Sequence, residues 1–467
     1  MSIQGFYLMP HPPIVIPEIG RGEETKIANT ANALDNIAND IKGKNPQTII
    51  IVTPHGTMFR DAIALSHSDK ITGNMSNFGV SGMTMELDID KKLTSKIYEL
   101  AIEENIPAVM CTNELLRNYD SKVTLDHGAF VPLYFINKVF NNYKLVHITY
   151  APLSDMEIYK FGMCINKAVE ELGIDIVFIA SGDLSHRLKD EGSYDYSPLG
   201  KIYDREFLKQ TQLGNPIGAI SIDKKLVASA GECGRRSVIM LLGSLDKTRF
   251  RGELLSYEDT FGVGYGVMNL IPLGKDESKI FDLEEIKQSL VEKKNHQKNP
   301  YVRLARESLT YYLTMGEELE NIPEFVPEEM KNIKRGVFVS LKKHGELRGC
   351  IGTIFPVTNS LAQEVIRNAI EAGIDDSRFD RVEENELIEI DFSVDVLTEP
   401  EKVKKEELNP KIYGVIVRSN GKTGLLLPDL EGVDTVEEQL SIALRKANIN
   451  TQDYSIERFE IIRHIEE

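Results

Sequence analysis

Hydrophobic positions along this chain follow two different rhythms. From residue 1 to about residue 270, short apolar runs at 48–52, 144–148 and 175–180 alternate with stretches whose apolar positions recur at helical spacing. Such alternation predicts βαβ units, and hence an α/β domain over residues 1–274 with a central, mostly parallel sheet flanked by helices. Residues 275–298 are rich in Lys, Glu and Asp, as in Asp282-Leu283-Glu284-Glu285-Ile286, and lack a dense apolar stripe. A charged linker or linker helix is predicted there.

The second rhythm starts at Tyr301. Tyr301, Leu304, Ala305, Leu309 and Tyr312 mark one buried helical face. Ile388, Ile390, Phe392, Val394 and Val396 alternate with Glu389, Asp391, Ser393 and Asp395, the period of a strand whose acidic side is expected to be solvated. Asn420-Gly421 tolerates the positive φ of a tight hairpin. Leu361, Val365, Ala369 and Ala372 predict a helix with Gly373 as its C-cap. Val436, Leu440, Ala443, Leu444 and Ala447 predict another, behind Asp434-Thr435. Residues 299–467 are thus expected to form a smaller α+β domain.

With 467 residues, the chain exceeds what one hydrophobic core serves, in line with two units. A net charge of -18 supplies no basic face for a nucleic acid. The first residues carry no signal-peptide pattern and the apolar runs are too short for a bilayer, so a soluble, cytoplasmic protein without membrane contact is expected. Cys111, Cys164, Cys233 and Cys350 lack CxxC spacing, which suits a reducing compartment, with Cys111 and Cys164 as core thiols.

Candidate chemistry gathers beside glycines and prolines. His11 lies in Pro10-His11-Pro12-Pro13, and His55 in Pro54-His55-Gly56 just after the run 48–52. Ligand sites of open α/β sheets sit at such carboxyl ends of strands. Three more segments concentrate reactive groups: Asp126-His127-Gly128, Ser181-Gly182-Asp183-Leu184-Ser185-His186, and Glu232-Cys233-Gly234-Arg235. The bland alternatives are turn histidines bonded to backbone, capping at His127 and His186, and at Glu232 a charge serving a helix start. His67, His147, His296 and His464 receive no role. Pocket walls are expected from loops such as 58–64 and 187–198.

In their order, these motifs resemble the LigB-type subunit of class III extradiol dioxygenases and the related Memo family, over roughly the first 270 residues. The resemblance implies an Fe(II) site, with Zn as the alternative ion, that opens the ring of a small aromatic catechol- or aminophenol-like substrate with O2. It assigns His11 and His55 as metal ligands, His186 or else His127 as acid/base, and Asp126 and Asp183 as groups orienting the imidazoles. Dioxygenases supply a Glu as third ligand, whereas Memo proteins place a Cys before Gly-Arg. Here Glu232 and Cys233 are adjacent, and ligand chemistry favours Glu232 with Cys233 as the alternative. LigB-like folds also often pair, which implies a homodimer.

Leu347-Arg348-Gly349-Cys350-Ile351-Gly352-Thr353 resembles the AMMECR family, with further matches at Asp375-Asp376-Ser377-Arg378-Phe379 and Leu397-Thr398-Glu399-Pro400. Fusion of the two units resembles protein A of the AmmeMemoRadiSam system, whose name implies a radical-SAM partner and allows a Memo-like metal-binding adaptor without dioxygenase activity. Cys350 is a candidate nucleophile or ligand with Arg348 as anion clamp, set against a buried small thiol. His344, the nearest imidazole, sits in a charged turn and suits an activating base poorly.

Overall fold

The computed structural model describes residues 3–466 except 191–193, 296, 344, 431 and 452, with 287, 290–293, 295 and 385 described by backbone alone. His296 and His344 therefore lie outside the described residues. The chain divides into two compact units, Met1–Ile286 and Lys287–Glu467. Within the stretch 275–298 the structure forms a helix, Ile280–Asn295. No helix among the described residues is long and apolar enough to cross a membrane.

Among the described residues, ten strands build the first unit: β1 (Ile3–Met9), β2 (Thr48–Thr53), β3 (Ile63–Ser66), β4 (Lys70–Met75), β5 (Val80–Asp88), β6 (Ala108–Cys111), β7 (Lys144–Thr149), β8 (Ile176–Ser181), β9 (Thr248–Glu258) and β10 (Tyr265–Lys275). Eight of them form one sheet in the order β6-β3-β7-β2-β8-β1-β10-β9, while β4 and β5 pair separately as a hairpin. The central strands β7, β2, β8 and β1 run parallel. Every residue of β2 and β8 is buried, as the uninterrupted β-branched runs require when helices cover both faces. Alternate side chains divide between two cores. Ile50 and Val52 face one with Phe178 and Ala180, and Ile49 and Ile51 face the other with Val177 and Ile179.

Among its described residues the second unit holds two antiparallel four-stranded sheets. One contains Glu346–Thr353, Val337–Lys343, Ile390–Leu397 and Ile461–Ile465, and the other contains the hairpin Gly414–Ser419 with Lys422–Leu426. Asn420 and Gly421 take φ of 48° and 78°, the turn expected of that pair. Two expectations fail here. Gly373 does not cap its helix, which runs on to Ile374. A Cβ at Gly373 would lie 2.6 Å from Leu309 Cδ1, so this glycine lets the helices Leu361–Ile374 and Pro300–Met315 approach closely. The acidic face of Ile390–Leu397 is paired rather than simply solvated: Asp391 meets Lys294 at 2.6 Å, and Asp395 takes both arms of Arg463 at 2.8 Å.

Asp204 ties the first unit's loops together from the helix Pro198–Gln212. Its buried carboxylate accepts the Ser185 N–H at 2.8 Å and the Tyr257 hydroxyl at 2.7 Å. Burial outweighs those bonds and raises its pKa to about 6. Because the folded value lies above the unfolded one, this group's stabilisation is complete below pH ~4 and is lost as pH rises towards ~6, by at most about 3 kcal/mol. Urea unfolding from pH 4 to 7.5 is expected to show Asp204→Asn gaining relative to the native chain across that window. A pH-independent difference would contradict the assignment.

Candidate metal centre

Because β1 and β2 both flank β8 in parallel, the residues just beyond their carboxyl ends converge over the β8 exit. Met9 pairs with Ser181 and Val52 with Ala180, so His11 and His55 each stand two residues past a strand end on the same edge. Their Nε2 atoms are 3.1 Å apart. Cys233 arrives from the turn before the helix Arg235–Ser244, and its Sγ lies 3.7 Å from His11 Nε2. Ligand atoms of His11, His55 and Cys233 all lie within 4.8 Å of one another, the one such grouping of His, Cys, Asp and Glu among the described residues.

Glycines make this convergence possible. A Cβ on Gly182 would fall 2.0 Å from Gly234 Cα, so the β8 exit and the Cys233 turn touch backbone to backbone. The Asp183 carbonyl then accepts the N–H groups of Gly234 at 2.9 Å and Cys233 at 3.3 Å. A Cβ on Gly128 would meet Thr53 Oγ1 at 2.4 Å, which explains the Asp-His-Gly pattern.

The tautomer of His11 follows from its neighbours. Pro132 sits inside the helix His127–Asn137 and has no N–H to offer the carbonyl four residues back, that of Gly128. The Ser181 hydroxyl donates to that carbonyl at 2.5 Å, and its oxygen lies 2.9 Å from His11 Nδ1. Ser181 has given away its only proton, so it accepts from Nδ1–H and leaves the His11 Nε2 lone pair bare. Burial and the neighbouring His55 lower the His11 pKa to about 3, while burial and His127 lower that of His55 to about 4. Both rings are neutral at pH 7, the form that binds metals. Burial, reinforced by Asp183, pushes the Cys233 thiol well above its ordinary value.

The favoured third ligand, Glu232, is not brought into the cluster. Its carboxylate accepts the Arg235 N–H at 2.6 Å and serves the start of the helix Arg235–Ser244, while Cys233 occupies the place beside His11. Side chains on adjacent residues of a tight turn point apart, a direction that one sequence leaves open. Asp183 accepts the His11 backbone N–H at 2.9 Å. His127 stacks on His55 at 4.2 Å between ring centroids, and burial lowers its pKa. His186 gives its Nδ1–H to the Gly231 carbonyl at 2.5 Å, so its lone pair is on Nε2.

Asp126 bonds to an imidazole that sequence reasoning passed over, and to none of the four imidazoles it was expected to orient. It caps the helix start at Ala129 and accepts the Thr53 hydroxyl at 2.6 Å, and its second oxygen is 2.8 Å from His147 Nε2. His147 is buried in β7 with Nδ1 2.8 Å from Ser66 Oγ. Burial alone would raise the Asp126 pKa, but the His147 and Thr53 contacts outweigh it and hold the carboxylate below its ordinary range. A lone histidine within the apolar run Leu145-Val146-His147-Ile148 was the available signal.

A cavity of about 820 Å³ opens beside His55 and His127. Its described walls come from the β4–β5 hairpin, Lys122 and residues 124–127, and not from the expected loop 58–64; the expected loop 187–198 lies partly outside the described residues. In the second unit, Arg348 forks onto Glu386 at 3.1 and 2.9 Å and also donates to the carbonyls of Asp380 and Arg381. These protein acceptors leave it poorly placed as an anion clamp. Cys350 Sγ accepts from Ser340 Oγ at 3.2 Å, and its N–H goes to Asp376.

The donor set fits a transition metal. The separations of 3.1 and 3.7 Å about His11 are shorter than two bonds end to end, about 4.2 Å for two nitrogens and about 4.4 Å for nitrogen and sulfur, while the His55–Cys233 pair, within 4.8 Å, must close by a few tenths of an ångström around an ion. Sheet, strand-end cluster and adjoining cavity together define a candidate metalloprotein of α/β fold. The chain belongs to the LigB family, described as the catalytic LigB subunit of aromatic ring-opening dioxygenase, which matches residues 5–268, and it carries an AMMECR1 domain at residues 302–464. Protein CA_C1420 of Clostridium acetobutylicum is 62% identical over 467 residues, the full length of both chains. A Thermotoga maritima protein is 48% identical over 170 residues, 36% of this chain and 97% of its own. Among solved structures, protein PH0010 from Pyrococcus horikoshii matches with TM-score 0.32 and 32% identity, covering 35% of this chain and 88% of its own.

Removing His147 should expose how much the centre depends on it. His147→Leu leaves the Asp126 carboxylate buried without its main partner, at an expected cost of about 3 kcal/mol or more in chemical denaturation. His147→Gln, which keeps a donor, should cost clearly less; equal costs would rule out the pairing. Ser181→Ala is expected to weaken Zn(II) binding about tenfold or more in a competition titration, because His11 loses the acceptor that fixes its tautomer.

Proposed function

We propose that the first unit holds Fe(II) between His11, His55 and Cys233 and opens the ring of a catechol- or aminophenol-like substrate with O2. The observation that carries this reading is the convergence of three ligand atoms within 4.8 Å, beside a cavity lined by His55 and His127. When bound, Fe(II) supplies open positions for the paired substrate heteroatoms and for O2. His11 and His55 offer neutral imidazole lone pairs, and Asp183 holds the His11 backbone in place. His127 faces the cavity and is neutral at pH 7, so it can take a proton from a substrate hydroxyl. His186, with Nδ1 committed to Gly231, presents Nε2 as a second proton acceptor.

A second reading is favoured by the thiol itself. Sulfur in place of a carboxylate shifts preference towards softer ions such as Zn(II), and fits a Memo-like metal-binding adaptor that works with a radical-SAM partner without dioxygenase chemistry. Metal content after anaerobic purification separates the ligand sets. His11→Ala, His55→Ala and Cys233→Ala are each expected to lose about tenfold or more of the bound ion, and Glu232→Gln to retain it. Unchanged stoichiometric metal in all three ligand variants would sink the assignment. Oxygen uptake by iron-loaded protein with catechols and aminophenols tests the chemistry. No uptake across the panel, together with co-purification of a radical-SAM protein, would select the adaptor.

A further inference from the structure

We propose that the cavity beside the histidine cluster receives an elongated organic anion, whose carboxylate or phosphate is bound by Lys122 while its other end reaches His55 and His127. This inference rests on the cavity being the ligand's route to the centre. Its volume of about 820 Å³ lies within the range of small-molecule sites. Thr72, Asn74, Asn77 and Thr84 supply hydrogen-bonding groups around it, and Phe78, Met85 and Leu125 supply apolar wall. The Phe78 ring lies 5.2 Å from that of His127, so the apolar part of the wall adjoins the imidazoles.

The charges lining the cavity decide the class of ligand. Asp126 is committed to His147, Thr53 and the helix start, and Glu86 is paired with Lys70. Lys122 has no ion-pair or hydrogen-bond partner among the described residues, which leaves its ammonium as the wall's cation open to a ligand, while the Asp126 carboxylate keeps its negative charge at the histidine end. The chain's net charge of -18 attracts no anion at long range, so any preference must come from this one side chain. Lys122 precedes His127 by five residues, at most about 17 Å of extended chain, which sets the scale of a ligand touching both.

Calorimetry on Zn(II)-loaded and on metal-free protein tests this with 3-phenylpropionate, phenyl phosphate and the neutral 3-phenylpropanol. Either anion or both should bind about five- to tenfold more tightly than the alcohol, with the advantage shrinking as salt rises. Preference for one anion names the group that the site accepts. Lys122→Met should abolish the advantage and Lys122→Glu reverse it, both at unchanged metal content. Because Lys122 is exposed, neither substitution disturbs the core. The proposal is overturned if the alcohol binds as well as the anions, if no anion binds at millimolar concentration, or if the preference survives in Lys122→Met. An anion preference in metal-free protein supports the site even where the Fe(II) reading fails. Loss of metal in the ligand variants supports that reading even where Lys122 proves indifferent.

Discussion

Gly182 and Gly234 meet backbone to backbone, and no side chain larger than hydrogen fits between them. Without that contact the turn carrying Cys233 could not lie against the β8 exit. The Asp183 carbonyl would lose the two N–H groups it accepts there, and the thiol would leave the neighbourhood of His11. The sheet alone brings two imidazoles together, since parallel β1 and β2 flank β8. The third donor depends on a segment about fifty residues further along the chain, held by glycine contacts and backbone hydrogen bonds.

Buried polar groups around the cluster are satisfied in a fixed order. Ser66, His147, Asp126 and Thr53 form a connected chain of short hydrogen bonds behind His55, and the His55 N–H closes it on Thr53 Oγ1 at 3.3 Å. Such a network stiffens the site because each member has few other partners in the low-dielectric interior. The cavity wall is of another kind. Its β4–β5 ribbon stands apart from the main sheet, and a two-stranded ribbon has little stability of its own. It is fastened where the Leu125 N–H reaches the Thr72 carbonyl at 2.9 Å, so a rigid centre faces a wall of lower intrinsic stability.

Much of this was legible in the sequence where backbone chemistry is restrictive. Apolar runs at 48–52 and 175–180 became β2 and β8 within a residue or so at each end, and prolines and glycines marked the turns of His11 and His55. Side-chain direction was not legible. Glu232 and Cys233 are equal in sequence, and only the path of the turn sends one to the helix start and the other to the imidazoles. His147 was hidden because a strand's burial pattern shows that a residue is inside without showing what it meets. Gly373 misled for a related reason, since a glycine near a helix end fits a cap and a close helix crossing equally well until Leu309 is in place.

Pro132 has a consequence well beyond its own helix. A free imidazole divides itself between two tautomers, and a metal must wait for the right one. Here the helix lacks one N–H, the idle Gly128 carbonyl claims the Ser181 proton, and the serine oxygen then dictates which His11 nitrogen stays bare. Folding thus writes a protonation state from one element onto another. For an ion arriving at the cluster, the two histidines surrender nothing, and the proton that must leave belongs to Cys233.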